Sequence, residues 1–84
     1  MGMIQTLIRK VPDGEDTDAY LADVIRRLPS FAEGAEHSAA GVLTETNFEE
    51  HWANQENLKN EPAIREKYLG LAKARRVVFV EIDW

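Results

Sequence analysis

Hydrophobic and polar residues alternate at both ends of the chain, which is the pattern of a β-strand with one buried face. Residues 3–10 would place Ile4, Thr6 and Ile8 on one side. Residues 77–84 alternate more clearly, and the first half of this segment is apolar on both sides, which predicts a strand covered on both faces there. We expect these two strands to pair and so to tie down both ends of the chain.

Between these strands the apolar spacing changes to that of helices. The Pro-Asp-Gly sequence at 12–14 predicts a turn, after which Asp16 or Thr17 can cap a helix. Pro29 is expected to end this helix. Its apolar stripe, with the spacing i, i+3, i+4 and i+7, consists of Leu21, Val24, Ile25 and Leu28.

The middle of the chain is less regular. Residues 39–43 are compatible with a loop or with a short middle strand. Residues 46–49 fit a capping box with Thr46 as the N-cap, which opens a helix through about Asn57. Phe48 and Trp52, four residues apart, would anchor that helix in the core.

A further helix opens at residues 60–62, with proline in its first turn, where the missing N–H is not needed. Its apolar stripe consists of Ile64, Tyr68, Leu71 and Ala72. The element order is therefore β-α-(short β or loop)-α-α-β. We predict an α+β fold in which residues 1–84 form a single small domain, with a small sheet that contains the N- and C-terminal strands packed against about three helices.

The composition limits the kinds of site and the cellular location that we expect for this protein. A chain of 84 residues has room for one core. It has no cysteine, so a disulfide framework and a zinc-thiolate site are excluded. No window approaches the ~20 apolar residues of a membrane span, and no signal peptide pattern is visible, so we expect a cytoplasmic protein with no membrane contact.

Acidic residues are concentrated in the middle third of the sequence. The net charge is −5, and residues 31–61 contain seven acids against one lysine. A surface of this kind repels nucleic acid and attracts basic partners. It is equally compatible with a solvated helical face that only keeps the protein soluble. The seven acids are Glu33, Glu36, Glu45, Glu49, Glu50, Glu56 and Glu61.

The sequence lacks the spacings of catalytic and metal sites. The acidic run at 13–18 does not follow a calcium-loop pattern, and helix capping explains it. His37 and His51 have no neighbours at metal-ligand or triad spacing, so we expect them to be ordinary surface or half-buried residues. The basic cluster at 73–76 is too small for a nucleic-acid footprint. We therefore expect no catalytic residue, no metal, no cofactor and no direct contact with nucleic acid.

These observations favour a non-enzymatic, acidic protein-binding module that inhibits or regulates a basic, nucleic-acid-handling protein. Its carboxylates would lie where phosphates otherwise bind, so that the protein acts as a nucleic-acid mimic. Phage-encoded counter-defence proteins, the anti-CRISPR proteins among them, are small and acidic in this way, and the analogy rests on size and charge alone. The residues expected to bind the partner are Glu45, Glu49, Glu50, Glu56, Glu33, Glu36 and Trp84.

The alternative is a homo-oligomeric structural or interaction module, such as a homodimer, that assembles through strand edges and Trp84. Trp84 is the final residue of the predicted strand 77–84, and an exposed tryptophan at an edge strand is typical of an interface anchor. If its indole instead folds over the core, Trp84 caps the sheet and has no role in assembly.

Overall fold

A three-stranded antiparallel sheet forms the centre of the protein in a computed structural model that describes residues 3–55 and 61–84. β1 (Ile4–Lys10) and β2 (His37–Val42) flank β3 (Val77–Asp83) on either side. The α+β class and the pairing of the first and last strands are confirmed. The sequence of residues 39–43 is compatible with a loop or a strand, and in the structure residues 39–42 belong to β2.

The central position of β3 explains its apolar sequence. Val77 and Val78 point to opposite faces of the sheet, and both side chains are fully buried, so the strand is covered on both faces at its beginning, as predicted. The expectation that Trp84 extends an edge strand is wrong, because β1 and β2 occupy the two edges and Trp84 follows the strand between them.

α1 (Thr17–Phe31) covers one face of the sheet and begins as the sequence predicts. Gly14 has a φ of +86°, a conformation that favours glycine in the turn before the helix. The Asp16 carboxylate then accepts the backbone N–H of Ala19 at 3.0 Å, which makes Asp16 the N-cap. The predicted apolar stripe is wrong at Ile25, whose side chain is 47% exposed because it lies at the margin of the packed face.

The last turn of α1 differs from the prediction, because Pro29 lies inside the helix and does not end it. The N–H of Ala32 donates to the Leu28 carbonyl at 2.9 Å and so closes a further turn around the proline. Leu28 and Ala32 are both buried and pack against Val80 and Ile82 of β3. This packing offsets the backbone hydrogen bond that a proline in a helix removes.

α2 (Phe48–Trp52) and α3 (Pro62–Lys73) pack on the other face of the sheet. Phe48 and Trp52 anchor α2 as predicted: both are buried and their rings stack with centroids 5.4 Å apart. They pack together with Val77 of β3. α3 has its proline in the first turn, and its predicted apolar stripe faces this cluster.

α2 is shorter than predicted and its N-terminus is capped differently. The helix ends at Trp52, and the last part of the predicted helix, residues 56–57, lies outside the described residues. The N-cap is Asn47 and not Thr46. The Asn47 side-chain oxygen accepts the N–H of Thr44 at 2.7 Å, and the Thr44 hydroxyl accepts the N–H of Asn47 at 3.3 Å. Asn47 is therefore bonded to the preceding loop, and no capping box forms at residues 46–49.

Candidate protein-interaction surface

Two of the acidic residues expected to bind a partner are already paired with α3. Glu45 Oε2 lies 3.6 Å from Lys73 Nζ, and the Glu49 carboxylate pairs with the Arg65 guanidinium. Arg65 also lies over the Phe48 ring, 5.3 Å from its centroid. The expectation that the acids of the middle third have almost no compensating charge is therefore wrong for Glu45 and Glu49, because their basic partners come from a later helix.

The other acidic residues differ from this pair. Glu33, Glu36 and Glu50 are exposed and form no ion pair with a described residue. Glu50 belongs to α2, whereas Glu33 and Glu36 lie in the short connection between α1 and β2. Glu56 lies outside the described residues. The structure thus places Glu33 and Glu36 close together on one connection.

This connection lies against the end of the central strand. The backbone N–H of Glu36 donates to the Asp83 carbonyl at 2.9 Å. Asp83 is a third carboxylate at this end of the sheet, and it too forms no ion pair within the described part of the chain. The alternation of the last strand places Asp83 on its polar side, but no local signal shows that Glu36 lies beside it, because the two residues are far apart in the sequence.

Three exposed apolar side chains lie at the same end of the sheet, Met3 and Trp84 on the face that carries Gln5, and Ile4 on the opposite face. Met3, Ile4 and Trp84 are 69%, 55% and 37% exposed. The backbone N–H of Trp84 donates to the Met3 carbonyl at 2.9 Å, and Ile4 is the β1 partner of Asp83. The Trp84 indole N–H donates to the Gln5 side-chain oxygen at 3.1 Å, which fixes the ring while leaving part of it in solvent.

We call this combination the sheet-end surface. Clustered exposed apolar groups mark interaction sites more often than scattered ones do, and tryptophan is a frequent interface anchor. Two of its carboxylates and the tryptophan were selected from the sequence, whereas the remaining three residues were not. Its members are Met3, Ile4, Glu33, Glu36, Asp83 and Trp84.

The two histidines lie in different environments. His37 is exposed. His51 is buried, and not on the surface or half-buried as its sequence context predicts, because α2 presses its ring onto the sheet. The His51 ring stacks on Phe79 with centroids 3.8 Å apart, and its Nδ1 lies 3.4 Å from Glu81 Oε2. In residues 3–55 and 61–84, no group of three His, Asp or Glu side chains is close enough to hold a metal ion. None of the helices in those ranges is long and apolar enough to cross a membrane.

Members of the basic cluster at 73–76 have partners within the protein. The Arg76 guanidinium donates to the Pro12 and Glu15 carbonyls at 2.8 and 2.6 Å and so holds the turn before α1 against the beginning of β3. Lys73 is paired with Glu45. Both side chains therefore contribute to the fold.

Comparisons with protein-family models, with curated proteins and with solved structures give no match for this chain. No function is therefore transferred from another protein. What the chain can bind has to be inferred from the chemistry of its own surface.

Proposed function

We propose that this protein is a non-enzymatic binding module that inhibits or regulates a basic, nucleic-acid-handling protein partner through the sheet-end surface. The proposal is carried by one observation: exposed apolar side chains, and carboxylates that form no ion pair within the described residues, lie at the end of the sheet where β3 ends. Trp84 and Met3 are joined there by a backbone hydrogen bond, and Glu36 and Asp83 by another.

The two kinds of side chain have separate tasks in such an interface. A partly exposed tryptophan supplies affinity when a partner covers it, because burial of a large aromatic surface is the commonest source of an energetic hot spot. The carboxylates attract a partner with a basic surface and raise the association rate. If that surface normally binds nucleic acid, the carboxylates take the positions of phosphates, which makes the module an inhibitor. The narrower idea of a phage counter-defence protein of the anti-CRISPR type is supported by size and net charge.

The test is an affinity capture from a lysate of the source organism, with the retained proteins eluted in a salt gradient. We expect a basic partner that elutes at moderate salt. Trp84→Ala and the double substitution Glu33→Gln/Glu36→Gln should each weaken its binding about tenfold, which corresponds to roughly 1.4 kcal/mol. Binding constants for the purified partner would be measured by titration calorimetry.

The matched control is Glu15→Gln/Asp18→Asn. It removes two carboxylates that form no ion pair within the described residues, so the net charge changes by the same amount. These residues lie at the beginning of α1, whereas Glu33 and Glu36 follow its end. Retention of the partner by the control and its loss from the Glu33/Glu36 variant supports the sheet-end surface. Equal weakening by both variants would show that net charge alone governs binding.

A homo-oligomer is the second candidate, and the sheet edges favour it. The β1 edge is covered at Thr6, whose carbonyl accepts the Gln55 side-chain amide at 2.7 Å. On β2, within the described residues, such a side-chain contact falls only at the last residue, where Asn47 donates to the Val42 carbonyl at 3.2 Å. β2 could therefore pair with a second copy. Sedimentation equilibrium decides between the candidates: a protein that stays monomeric at high concentration rules the homo-oligomer out.

A further inference from the structure

A groove of about 440 Å³ runs between α1 and β1 on the face of the sheet that α1 covers. It exists because α1 packs over β2 and β3, which leaves the β1 side chains of that face as an opposite wall. Leu7 and Val24 line the two walls, and Val80 and Ile82 of the central strand line the groove between them. A partly enclosed apolar groove of this size is typical of a small-ligand site.

The polar side chains of the groove carry an excess of positive charge. Arg9 lines the β1 wall and forms no ion pair with any residue in the described ranges. Arg27 lines the α1 wall, and its Nε lies 3.2 Å from Asp23 Oδ2. Asp23 also pairs with Arg26. Two guanidinium groups, those of Arg26 and Arg27, thus share one carboxylate, and the lining residues of the groove carry two arginines against one acid in a protein whose net charge is −5.

We infer that this groove binds a small amphipathic carboxylate, a single unbranched alkyl chain that ends in one carboxylic acid group. The carboxylate pairs with Arg9 and Arg27, because guanidinium groups recognise carboxylates through two parallel hydrogen bonds. The alkyl chain lies on Leu7 and Val24, the half-buried apolar side chains of the two walls. An inorganic anion would leave these apolar residues uncovered, and a cationic chain would be repelled by the arginines.

This site does not depend on the sheet-end surface being a protein interface. The two regions adjoin at one point, because Gln5 lines the groove and accepts the hydrogen bond of the Trp84 indole. A ligand that enters the groove should therefore change the fluorescence of Trp84, whereas Trp52 is buried in the core on the other face of the sheet.

The experiment titrates decanoate into the full chain and follows backbone amide resonances by NMR. We expect the largest shifts at Leu7, Val24, Val80 and Ile82, the apolar residues that line the groove. Arg9→Gln should weaken decanoate binding about tenfold. The matched control is Arg26→Gln, which removes an exposed arginine from the same charge cluster that is not among the groove's lining residues, and it should leave the affinity within about twofold.

Three further probes decide what the groove recognises. Decyltrimethylammonium has the same chain with the opposite charge, and equal affinity for it would overturn the role of the arginines. Acetate has the same head group without the chain, and equal affinity for it would overturn the role of the apolar lining. A peptide that binds through a C-terminal leucine while decanoate does not would assign the groove to a peptide terminus and overturn the alkyl ligand. Thermal melts check that both arginine variants are folded. If Arg9→Gln is not folded, the titration is repeated with Arg27→Gln. Absence of shifts in the groove with decanoate also overturns the inference.

Discussion

At the scale of single residues, Arg75 adopts a backbone conformation that usually requires glycine. Its φ is +57°, and it directly follows the C-cap of α3. The N–H of Arg75 donates to the Ala72 carbonyl at 3.0 Å, and the N–H of Arg76 donates to the Leu71 carbonyl at 2.9 Å. These two bonds form a Schellman motif. The Arg75 carbonyl accepts the Thr17 hydroxyl at 2.8 Å, so the strained residue also joins the end of α3 to the beginning of α1.

Arg75→Gly is expected to stabilise the protein relative to Arg75→Ala by about 0.5–1 kcal/mol. The left-handed conformation costs a residue with a Cβ about 1–2 kcal/mol, and the greater freedom of glycine in the unfolded chain offsets part of the gain. The alanine variant is the control, because it removes the same charge and side chain but keeps the Cβ. Urea denaturation of both variants gives the difference, and identical midpoints would show that no strain resides at this position.

At the scale of secondary structure, α1 determines the geometry of both proposed sites. Its side chains form one wall of the groove, and its last turn sets where Glu33 and Glu36 meet the end of β3. If the helix had ended at Pro29, the connection to β2 would begin earlier and Ala32 would leave the core. The position of the carboxylates therefore depends on a proline that the helix accommodates.

Substitutions at the N-cap of α1 test how much the capping bond contributes to the stability of this helix. Asp16→Ala should lower the free energy of unfolding by about 1 kcal/mol, because it leaves the Ala19 N–H without its acceptor. Asp18→Ala removes the same charge from the same first turn but no capping bond, and it should lower stability by only about 0.3 kcal/mol. Denaturation in urea at moderate salt measures both variants. Equal losses of stability in the two variants would mean that Asp16 acts through the helix dipole and not through the capping bond.

At the scale of the whole molecule, β3 joins two packing layers. Leu28 of α1 packs on one face of the sheet, and Trp52 of α2 packs on the other. A small domain with one shared sheet is expected to unfold in a single transition. A substitution that weakens the packing on one face of the sheet should therefore also destabilise the packing on the other face.

Leu28→Ala is expected to destabilise both faces together by about 3 kcal/mol. The measurement uses a Trp84→Phe background, in which Trp52 is the only tryptophan, so that fluorescence reports the face opposite to the substitution. Its midpoint in urea should fall together with the midpoint of the circular dichroism signal. A Trp52 transition that stays in place while the circular dichroism transition moves would show that the two layers unfold separately.

Features that depend on neighbouring residues could be predicted from the sequence. The two apolar sides of β3 indicate burial on both faces. Asp16 marks the beginning of α1 through a bond made within one turn, and Pro62 marks the beginning of α3 because a proline N–H is not needed there. The ring pair of Phe48 and Trp52 likewise depends on a spacing of four residues. Each of these signals is local, and the structure agrees with each of them.

Features that depend on tertiary packing could not be predicted. The partners of Glu45 and Glu49 come from α3, so the pairing is invisible until that helix has a position. The groove exists because α1 lies over β2 and β3 and not over β1, which no periodicity specifies. The sheet-end surface could be selected only in part, because Glu36 and Asp83 are brought together by a backbone bond between distant segments.

Among the elements that the structure describes, β3 comes last, yet β1 and β2 pair with β3 and not with each other. A ribosome therefore releases both outer strands and all three helices before the strand that they require. Until β3 emerges, the apolar faces of the helices have no sheet on which to pack, and the nascent chain exposes them. Pairing Ile4 with Asp83 then brings together two residues that are separated by almost the whole described sequence. Contacts between such distant residues slow folding. The sheet must consequently form in one late step after β3 has emerged, and not strand by strand.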